Sequence, residues 1–394
     1  MAKNLYLKQS SNFDRLDYLL VILLLVFSGN PIATLSGKFA PLIIIPGILI
    51  IYRKQIKGDF YRPFLIIASA LLLLFVFQLA ALYSVSWLAG FRYIITILFG
   101  GLVFYLLGDK FSFKFFIVIF YLSLISLVLY VLINLLHVPI PGIPYTQGRT
   151  IYFVYTYYEL HSFRNCGMFW EPGAFAGVLT LCIGMNAKDL PYLWKNHKMK
   201  IIVVITALLT TQSTTGYISF FLTAIYYLLF FSKSNIMRYT IIPALFVISI
   251  MVYKNADFLQ EKIKHQSEVS LNLAKDEFSN SRFGSFVFDL HYIEKHPFIG
   301  NGFSETTRYA DHPYLIGLDL GNGNGFSNYM ACLGVPFMFF YLLLTFIAIY
   351  KIDKRLAFLV CIIIVLTLFG EQWLKFPLYT GIVFINNKRN IFRG

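Results

Sequence analysis

The sequence FLIIASALLLLFVFQLAALY, residues 64–83, contains no charged side chain in twenty consecutive positions. As an α-helix that rises about 1.5 Å per residue, this segment is about 30 Å long, which matches the hydrocarbon thickness of a bilayer. Hydrocarbon offers no partner for a backbone amide, whereas a helix satisfies its amides internally. The segment therefore predicts a helix that crosses a membrane.

Segments of the same kind recur along nearly the whole chain, and we interpret twelve of them as membrane-spanning helices. They are approximately residues 17–35, 39–52, 64–83, 88–107, 112–135, 167–186, 199–212, 215–232, 238–253, 326–350, 356–370 and 374–387. The predicted fold class is all-α, a polytopic membrane helical bundle of about twelve transmembrane helices with one large extracytoplasmic loop domain.

The predicted spans divide the chain into three parts. Residues 1–253 hold spans one to nine and a short external loop at 136–166, which is rich in Pro, Gly and Tyr. Residues 254–325 form a large external loop, periplasmic in a bacterium, that includes an amphipathic helix. Residues 326–394 hold the C-terminal spans. A long loop on a protein with otherwise short connections predicts that the function lies there.

Composition and charge support a membrane protein and argue against nucleic-acid binding. The 394 residues are 58% hydrophobic and only 13% charged, with a net charge of +14. If the spans alternate, 21 Lys and Arg lie on the side of the termini and 12 on the other, seven of these in the long loop. Basic residues in short loops mark the cytoplasmic side. We therefore expect cytoplasmic termini, a retained first span and an outward-facing long loop.

The four cysteines lie in or beside apolar segments and lack the spacing of metal ligands. This pattern is typical of buried thiols rather than of a disulfide framework or a zinc site. We expect neither a metal ion nor a cofactor.

Two charged residues stand out in FRNCGMFWEPGAFAG, residues 163–177. Arg164 lies at the predicted outer end of a span, and Glu171 follows after seven residues, about two helical turns. Pro172 suits the first turn of a helix, where a missing amide donor costs least. The pair is a candidate for function, and a local ion pair that anchors a helix end is the alternative.

Arg282 opens SRFGSFVFDLHYIEKHPFIGNGF, residues 281–303, in the long loop. Apolar residues at 283, 286, 287, 290 and 293 predict a helix over 282–294. Asn280 or Ser281 is suited to cap its start, and Pro297 with the following glycines is suited to end it. Arg282 is either functional or part of a solvated face on a helix that lies along the membrane.

Further polar candidates lie in both external segments. Arg308 and His312 precede the glycine-rich GLDLGNGNGFSN, residues 317–328, which lacks the GxxxxGK[ST] pattern of a phosphate-binding loop. Arg149 and His161 lie in the shorter external loop. Each of these side chains is either solvated or a functional group. The small polar residues 213–216 are interpreted as a site of close helix packing.

Several of these motifs, in this order, resemble those of bacterial lipid-linked polysaccharide polymerases of the Wzy type and the related O-antigen ligases. The resemblance extends to the architecture of nearly the whole chain. Its local motifs are Arg164-xx-Gly167-x-Phe169-x-Glu171-Pro172, the turn Ser213–Gly216, Arg282 followed by His296-Pro297-Phe298-Ile299-Gly300-Asn301-Gly302, and Asn324 ten residues before Gly334.

The resemblance implies a metal-independent, inverting glycosyltransferase of the integral-membrane C-like fold in the bacterial cytoplasmic (inner) membrane. The donor would be a growing glycan on undecaprenyl pyrophosphate, transferred onto the non-reducing end of a new lipid-linked repeat unit in lipopolysaccharide biosynthesis. Expected partners are these lipid-linked oligosaccharides, membrane lipid and a chain-length-regulating co-polymerase. The implied catalytic residues are Arg164, Glu171, Arg282 and His312, and the implied substrate-binding residues are Arg149, His161, Arg308 and Asn324.

Arginines suit this reaction because the leaving pyrophosphate gains negative charge, and guanidinium groups bind its oxygens bidentately. One departure concerns the base. Ligases of the superfamily carry a histidine directly before the asparagine at the end of the loop, whereas Gly323 precedes Asn324 here. His312 or Glu171 would have to replace it, or the reaction needs no strong base.

Three alternatives to a polymerase remain. An O-antigen ligase, which transfers glycan to lipid A core, is the nearest because its donor site would look the same, although the missing histidine favours a polymerase. A lipid-linked oligosaccharide flippase is disfavoured because the central spans are nearly free of charge. A non-catalytic scaffold gives no reason for Arg164 and Arg282 at the outer boundary.

Overall fold

The structure is a computed structural model that describes residues 14–36, 40–146, 148–232, 281–318 and 323–385, with single residues and pairs or triplets between 235 and 278. It is mostly helical, at 74%. This agrees with the predicted all-α class. Most of the predicted span 238–253, most of the long loop before residue 281 and the basic C-terminal cluster lie outside the described residues.

Within the described residues, six α-helices precede the segment 136–166. They are α1 (Asp14–Val26), α2 (Pro31–Ser36), α3 (Ala40–Ile51), α4 (Gly58–Leu82), α5 (Trp87–Leu107) and α6 (Phe111–Leu129). Gly108 separates α5 from α6 with φ 52° and ψ −128°, a conformation outside the helical region. A π-helical turn, Tyr130–Leu135, ends α6.

Nine helices follow the shorter external loop. They are α7 (Pro172–Met185), α8 (Leu190–Thr210), α9 (Thr214–Phe230), α10 (Arg282–Lys295), α11 (Glu305–Arg308), α12 (Gly325–Leu333), α13 (Val335–Tyr350), α14 (Lys354–Leu368) and α15 (Pro377–Thr380). These nine are the α-helices of this half of the chain whose bounds lie within the described residues.

Far fewer spans than the predicted twelve are long enough to cross a membrane. In the described part of the chain, the helical segments Gly58–Leu82 and Trp87–Leu135 are long and apolar enough. A third is present if α12 and α13, which meet at 119°, count as one broken span. Many predicted spans are instead helices of 12 to 17 residues, for example α7 with 14 residues. Apolar composition predicts burial, and it does not reveal where a helix breaks.

Gly334 shows how such a break is built. Its φ of 85° lies in the left-handed region, between the end of α12 and the start of α13. A Cβ atom there would lie 2.2 Å from the carbonyl oxygen of Phe298. Only glycine combines this conformation with so close an approach of two backbones.

The shorter external loop contains a small antiparallel sheet that the sequence analysis did not predict. Its strands are β1 (Ile143–Tyr145), β2 (Arg149–Ile151) and β3 (Thr156–Tyr158), in the order β1-β2-β3. Arg149 pairs with Tyr145 on one side and with Tyr158 on the other. The sheet therefore fixes the position of Arg149.

Helix α7 lies at the centre of the bundle. All its residues from Ala174 to Met185 are buried, and it packs against α6, α8, α9 and α14. Cys166, Cys182 and Cys332 are buried and Cys361 is half-buried, as predicted. Because α7 begins at Pro172, the preceding Glu171 is held at the end of a rigid element.

The helix predicted over 282–294 is confirmed as α10, and Ser281 caps it by accepting a hydrogen bond from the Gly284 amide. Its buried face is not the predicted apolar stripe. Phe283 is 54% exposed, whereas Ser285 and Asp289 are fully buried. The buried face of α10 is partly polar and contributes to the networks described below.

Candidate functional site

Five charged side chains from four separate parts of the chain meet around the N-terminal end of α7. Arg149 comes from β2, Arg164 and Glu171 from the segment before α7, Arg282 from the first residue of α10, and Glu371 from the segment after α14. We call this group the arginine–glutamate cluster. Four of its members were predicted as site residues, and Glu371 was not.

Glu171 occupies the position directly before α7, with extended backbone angles of φ −158° and ψ 164°. Pro172 follows at the first helical position, as the sequence predicted. Gly173 then leaves room for two carboxyl groups. A Cβ atom at Gly173 would lie 3.0 Å from Oε1 of Glu371 and 3.1 Å from Oε1 of Glu171. The two carboxyl groups therefore meet directly above this glycine.

Glu371 is held from two directions. The indole Nε1 of Trp170 donates a hydrogen bond to its Oε2 at 3.2 Å, and Nη2 of Arg282 lies 3.9 Å from its Oε1. The residue is 9% exposed. The sequence does mark Glu371, because charged residues are rare around it. Glu371 and Lys375 are the only charged residues between 356 and 387. A buried carboxyl in such surroundings is costly without a partner.

The two carboxyl groups share a hydrogen bond and differ in ionisation. Burial raises the pKa of Glu371, and the charge of Glu171 with the hydrogen bond between them raises it further. Burial also acts to raise the pKa of Glu171, but the hydrogen bond from Glu371 and the charges of Arg282, Arg149 and His161 outweigh it and lower that pKa. When the pair holds a single proton, these opposite directions place the proton on Glu371 and the negative charge on Glu171.

Arg282 is fixed by the turn between α8 and α9. Its Nη1 donates a hydrogen bond to Oγ1 of Thr215 at 2.6 Å. The side chain is 22% exposed, so the guanidinium is partly desolvated and still accessible. Thr215 belongs to the small-residue turn that was interpreted as a packing site, and it also orients the arginine.

Arg164 lies beside the same turn, and its Nε donates to the carbonyl oxygen of Thr211 at 3.0 Å. Burial lowers the pKa of Arg164, the Glu171 carboxylate raises it, and the positive charge of Arg282 lowers it. Arg164 and Arg282, which are far apart in sequence, are thus close enough to interact electrostatically.

Arg149 approaches from the small sheet. Its Nε donates to the carbonyl oxygen of Trp170 at 2.8 Å, and its guanidinium lies 4.2 Å from the centre of the Tyr158 ring. His161 packs edge-on against the same tyrosine, with 5.0 Å between ring centres. Both residues act to lower the pKa of Glu171, so the segment 136–166 contributes to the electrostatics of the cluster.

Two predicted site residues belong to a second cluster, under α10. Arg308 is 3% exposed and forms an ion pair with Asp289, which also accepts a hydrogen bond from Ser327 at 2.6 Å. His312 is 7% exposed, and its Nδ1 lies 2.6 Å from the hydroxyl of Tyr292. These contacts join α10, α11 and α12.

Asn324 lies between the two clusters. It caps α12, because its Oδ1 accepts a hydrogen bond from the Ser327 amide at 3.1 Å. Its Nδ2 donates to the carbonyl oxygen of Arg282 at 3.3 Å. Asn324 therefore supports the backbone from which Arg282 extends.

Chemically, the arginine–glutamate cluster offers several guanidinium donors for an anion and one carboxylate that can accept a proton. Across the residues that the structure describes, no group of three or more His, Cys, Asp or Glu side chains is arranged to hold a metal ion. No protein-family model and no curated protein matches the chain.

Proposed function

We propose that this protein is a polysaccharide polymerase. It transfers a growing undecaprenyl-pyrophosphate-linked glycan onto the non-reducing end of a new lipid-linked repeat unit. The observation that carries the proposal is the meeting of Arg149, Arg164 and Arg282 beside an ionised Glu171. Three guanidinium groups around one carboxylate leave an excess of positive charge, which suits an anionic leaving group.

Arg164 and Arg282 bind the diphosphate in this proposal. As the anomeric bond breaks, negative charge develops on the diphosphate oxygens, and preorganised donors stabilise that charge more than they stabilise the ground state. The backbone carbonyl of Thr211 and the hydroxyl of Thr215 orient the two arginines beforehand. Arg149 and His161 contribute further positive charge from the outer loop.

Glu171 accepts the proton of the attacking hydroxyl. It is the ionised member of the carboxyl pair, and it lies at the start of a buried helix, which restricts its movement. A carboxyl group acts as a general base only when it is deprotonated and fixed within reach of the hydroxyl. In this proposal His312 and Arg308 stabilise the fold. His312 is hydrogen-bonded to Tyr292, and Arg308 forms an ion pair with Asp289.

The proposal includes a multi-pass protein of the bacterial inner membrane with cytoplasmic termini. Apolar helices and the basic residues between them support it. The starts of α7, α9 and α10 and the end of α14 all contribute to the cluster, so these helix ends lie on one side. We assign that side to the outer face, where lipid-linked repeat units are joined with the help of a chain-length-regulating co-polymerase.

Surface polysaccharide from a deletion strain tests this function. Lipid A core that carries a single repeat unit indicates a lost polymerase. Core with no repeat unit indicates a lost ligase or flippase and contradicts the proposal. In the complemented strain, Arg164→Ala should abolish the ladder of polymer lengths at normal protein level, whereas full-length ladders would remove Arg164 from the site.

A further inference from the structure

We propose that Glu371 is the positioning residue that sets the charge of the donor pocket, so that the pocket binds a diphosphate diester well only while Glu371 is protonated. The inference rests on the proposed function and adds to it a control of donor binding by a single proton. Glu371 acts through Glu171 and through the arginines, and it takes no part in the bond changes.

Geometry is the first support. The carboxyl oxygens of Glu171 and Glu371 both lie within about 3 Å of one point above Gly173. The two carboxyl groups are also hydrogen-bonded to each other, and two buried carboxylates in direct contact do not both ionise, because their repulsion is too large. Trp170 donates to the far oxygen of Glu371, which leaves the near oxygen to share a proton with Glu171.

Charge is the second support. The ionisable groups that face the carboxyl pair are Arg149 from β2, His161, Arg164 and Cys166 from the segment before α7, Arg282 from α10, and Tyr379 from α15. Three guanidinium charges and the Glu171 carboxylate sum to plus two, His161 not counted. A diphosphate diester carries two negative charges and matches it. Ionisation of Glu371 would halve the net charge of the pocket.

The directions of the two pKa shifts fix the sign of the pH dependence. The pKa of Glu371 is raised, so its proton leaves as pH rises through that value, and the added negative charge weakens anion binding. The pKa of Glu171 is lowered, so it takes up a proton only in acid, where the base for transfer is lost. Donor affinity should thus fall on the alkaline side and the turnover rate on the acid side.

Binding of dimethyl diphosphate to the full-length protein in nanodiscs tests the inference. This probe keeps both charges between about pH 5 and about pH 9, so any pH dependence comes from the protein. We expect the wild-type affinity to fall roughly tenfold as pH rises, the size of one charge's effect in a partly desolvated pocket. In a His161→Gln background, Glu371→Gln should bind equally well at every pH, and Glu371→Asp should restore the pH dependence.

The possible outcomes separate this inference from the proposed function. Wild-type affinity that stays constant with pH, or a Glu371→Gln variant in the His161→Gln background that loses affinity as the wild type does, overturns the inference. In that case Arg282→Ala should still abolish binding, and the proposed function stands. If Arg282→Ala binds the probe as tightly as the wild type, both fail. The thermal unfolding temperature of each variant shows that it is folded before binding is measured.

Discussion

Arg282→Lys tests whether the shape of the guanidinium group, and not only its charge, is needed for transfer. Arg282 donates from Nη1 to Thr215, which leaves its remaining donors for oxygens of the diphosphate. A lysine has a single nitrogen on a flexible chain. To contact the diphosphate, that nitrogen must leave Thr215, and the orientation of the side chain is lost with it.

The size of the effect follows from the contact that is lost. Removal of one preorganised donor to a developing anion costs about 3 to 4 kcal/mol in the transition state. Since each 1.36 kcal/mol is about tenfold in rate, the turnover rate of Arg282→Lys should fall roughly 10²- to 10³-fold. Thr215→Val keeps the guanidinium and removes its orienting partner, so it should cost about 1 kcal/mol, or roughly fivefold in rate.

The assay is single-turnover transfer between lipid-linked repeat units by purified protein in nanodiscs, with polymer length read on gels. Arg355→Lys is the matched control, because Arg355 is 47% exposed and pairs with Asp353 at the start of α14. This control should leave the rate unchanged. If Arg282→Lys retains more than half of the wild-type rate, bidentate binding by Arg282 is refuted.

Three further substitutions separate the site from its surroundings. His312→Ala should lower the unfolding temperature, because it removes a hydrogen bond to the buried Tyr292. The rate of transfer per folded molecule should stay unchanged. A rate that is a hundredfold lower would instead identify His312 as the general base. Gly173→Ala should slow transfer in a folded protein, because its Cβ displaces the two carboxyl oxygens by a few tenths of an ångström. Gly47→Ala, whose Cβ meets nothing within 4 Å, should be fully active. Equal activity of the two variants would exclude a tight carboxyl pair above Gly173. Asp289→Asn should cost about 3 to 5 kcal/mol of folding free energy, because it leaves Arg308 buried without its partner, and an unchanged thermal unfolding curve would contradict this.

Much of the site was predictable because charge is rare in this chain. Arg164 and Glu171 stand out in an apolar region, and Arg282 opens a helix with a clear cap and period. Buried or interfacial charges are expensive, so each of them marks a position with a partner. That argument predicts which residues matter without showing which of them meet.

The rest depended on contacts that no local pattern records. Glu371 lies 200 residues after Glu171, and its role comes from packing across α7 and α14. The same isolation that marks Arg164 also marks Glu371, so its signal was present and was missed. His312 and Arg308 look free in the sequence, yet a partly polar helix face buries both of them.

The number of membrane-spanning helices was the property that the sequence predicted least well. Apolar composition is the same in a helix that crosses a bilayer and in a short helix buried by its neighbours. The break at Gly334 depends on a close approach to Phe298, which lies in another segment. Such tertiary contacts decide where a helix ends and override the apolar pattern.

In the proposed mechanism, Arg164 and Arg282 bind the same diphosphate. Cryo-electron microscopy of the full-length protein in nanodiscs with saturating dimethyl diphosphate tests it directly. We expect density for one anion within hydrogen-bond distance of both guanidinium groups, beside the carboxyl pair above Gly173. Density that contacts one arginine alone, or that lies elsewhere while this pocket stays empty, would contradict it.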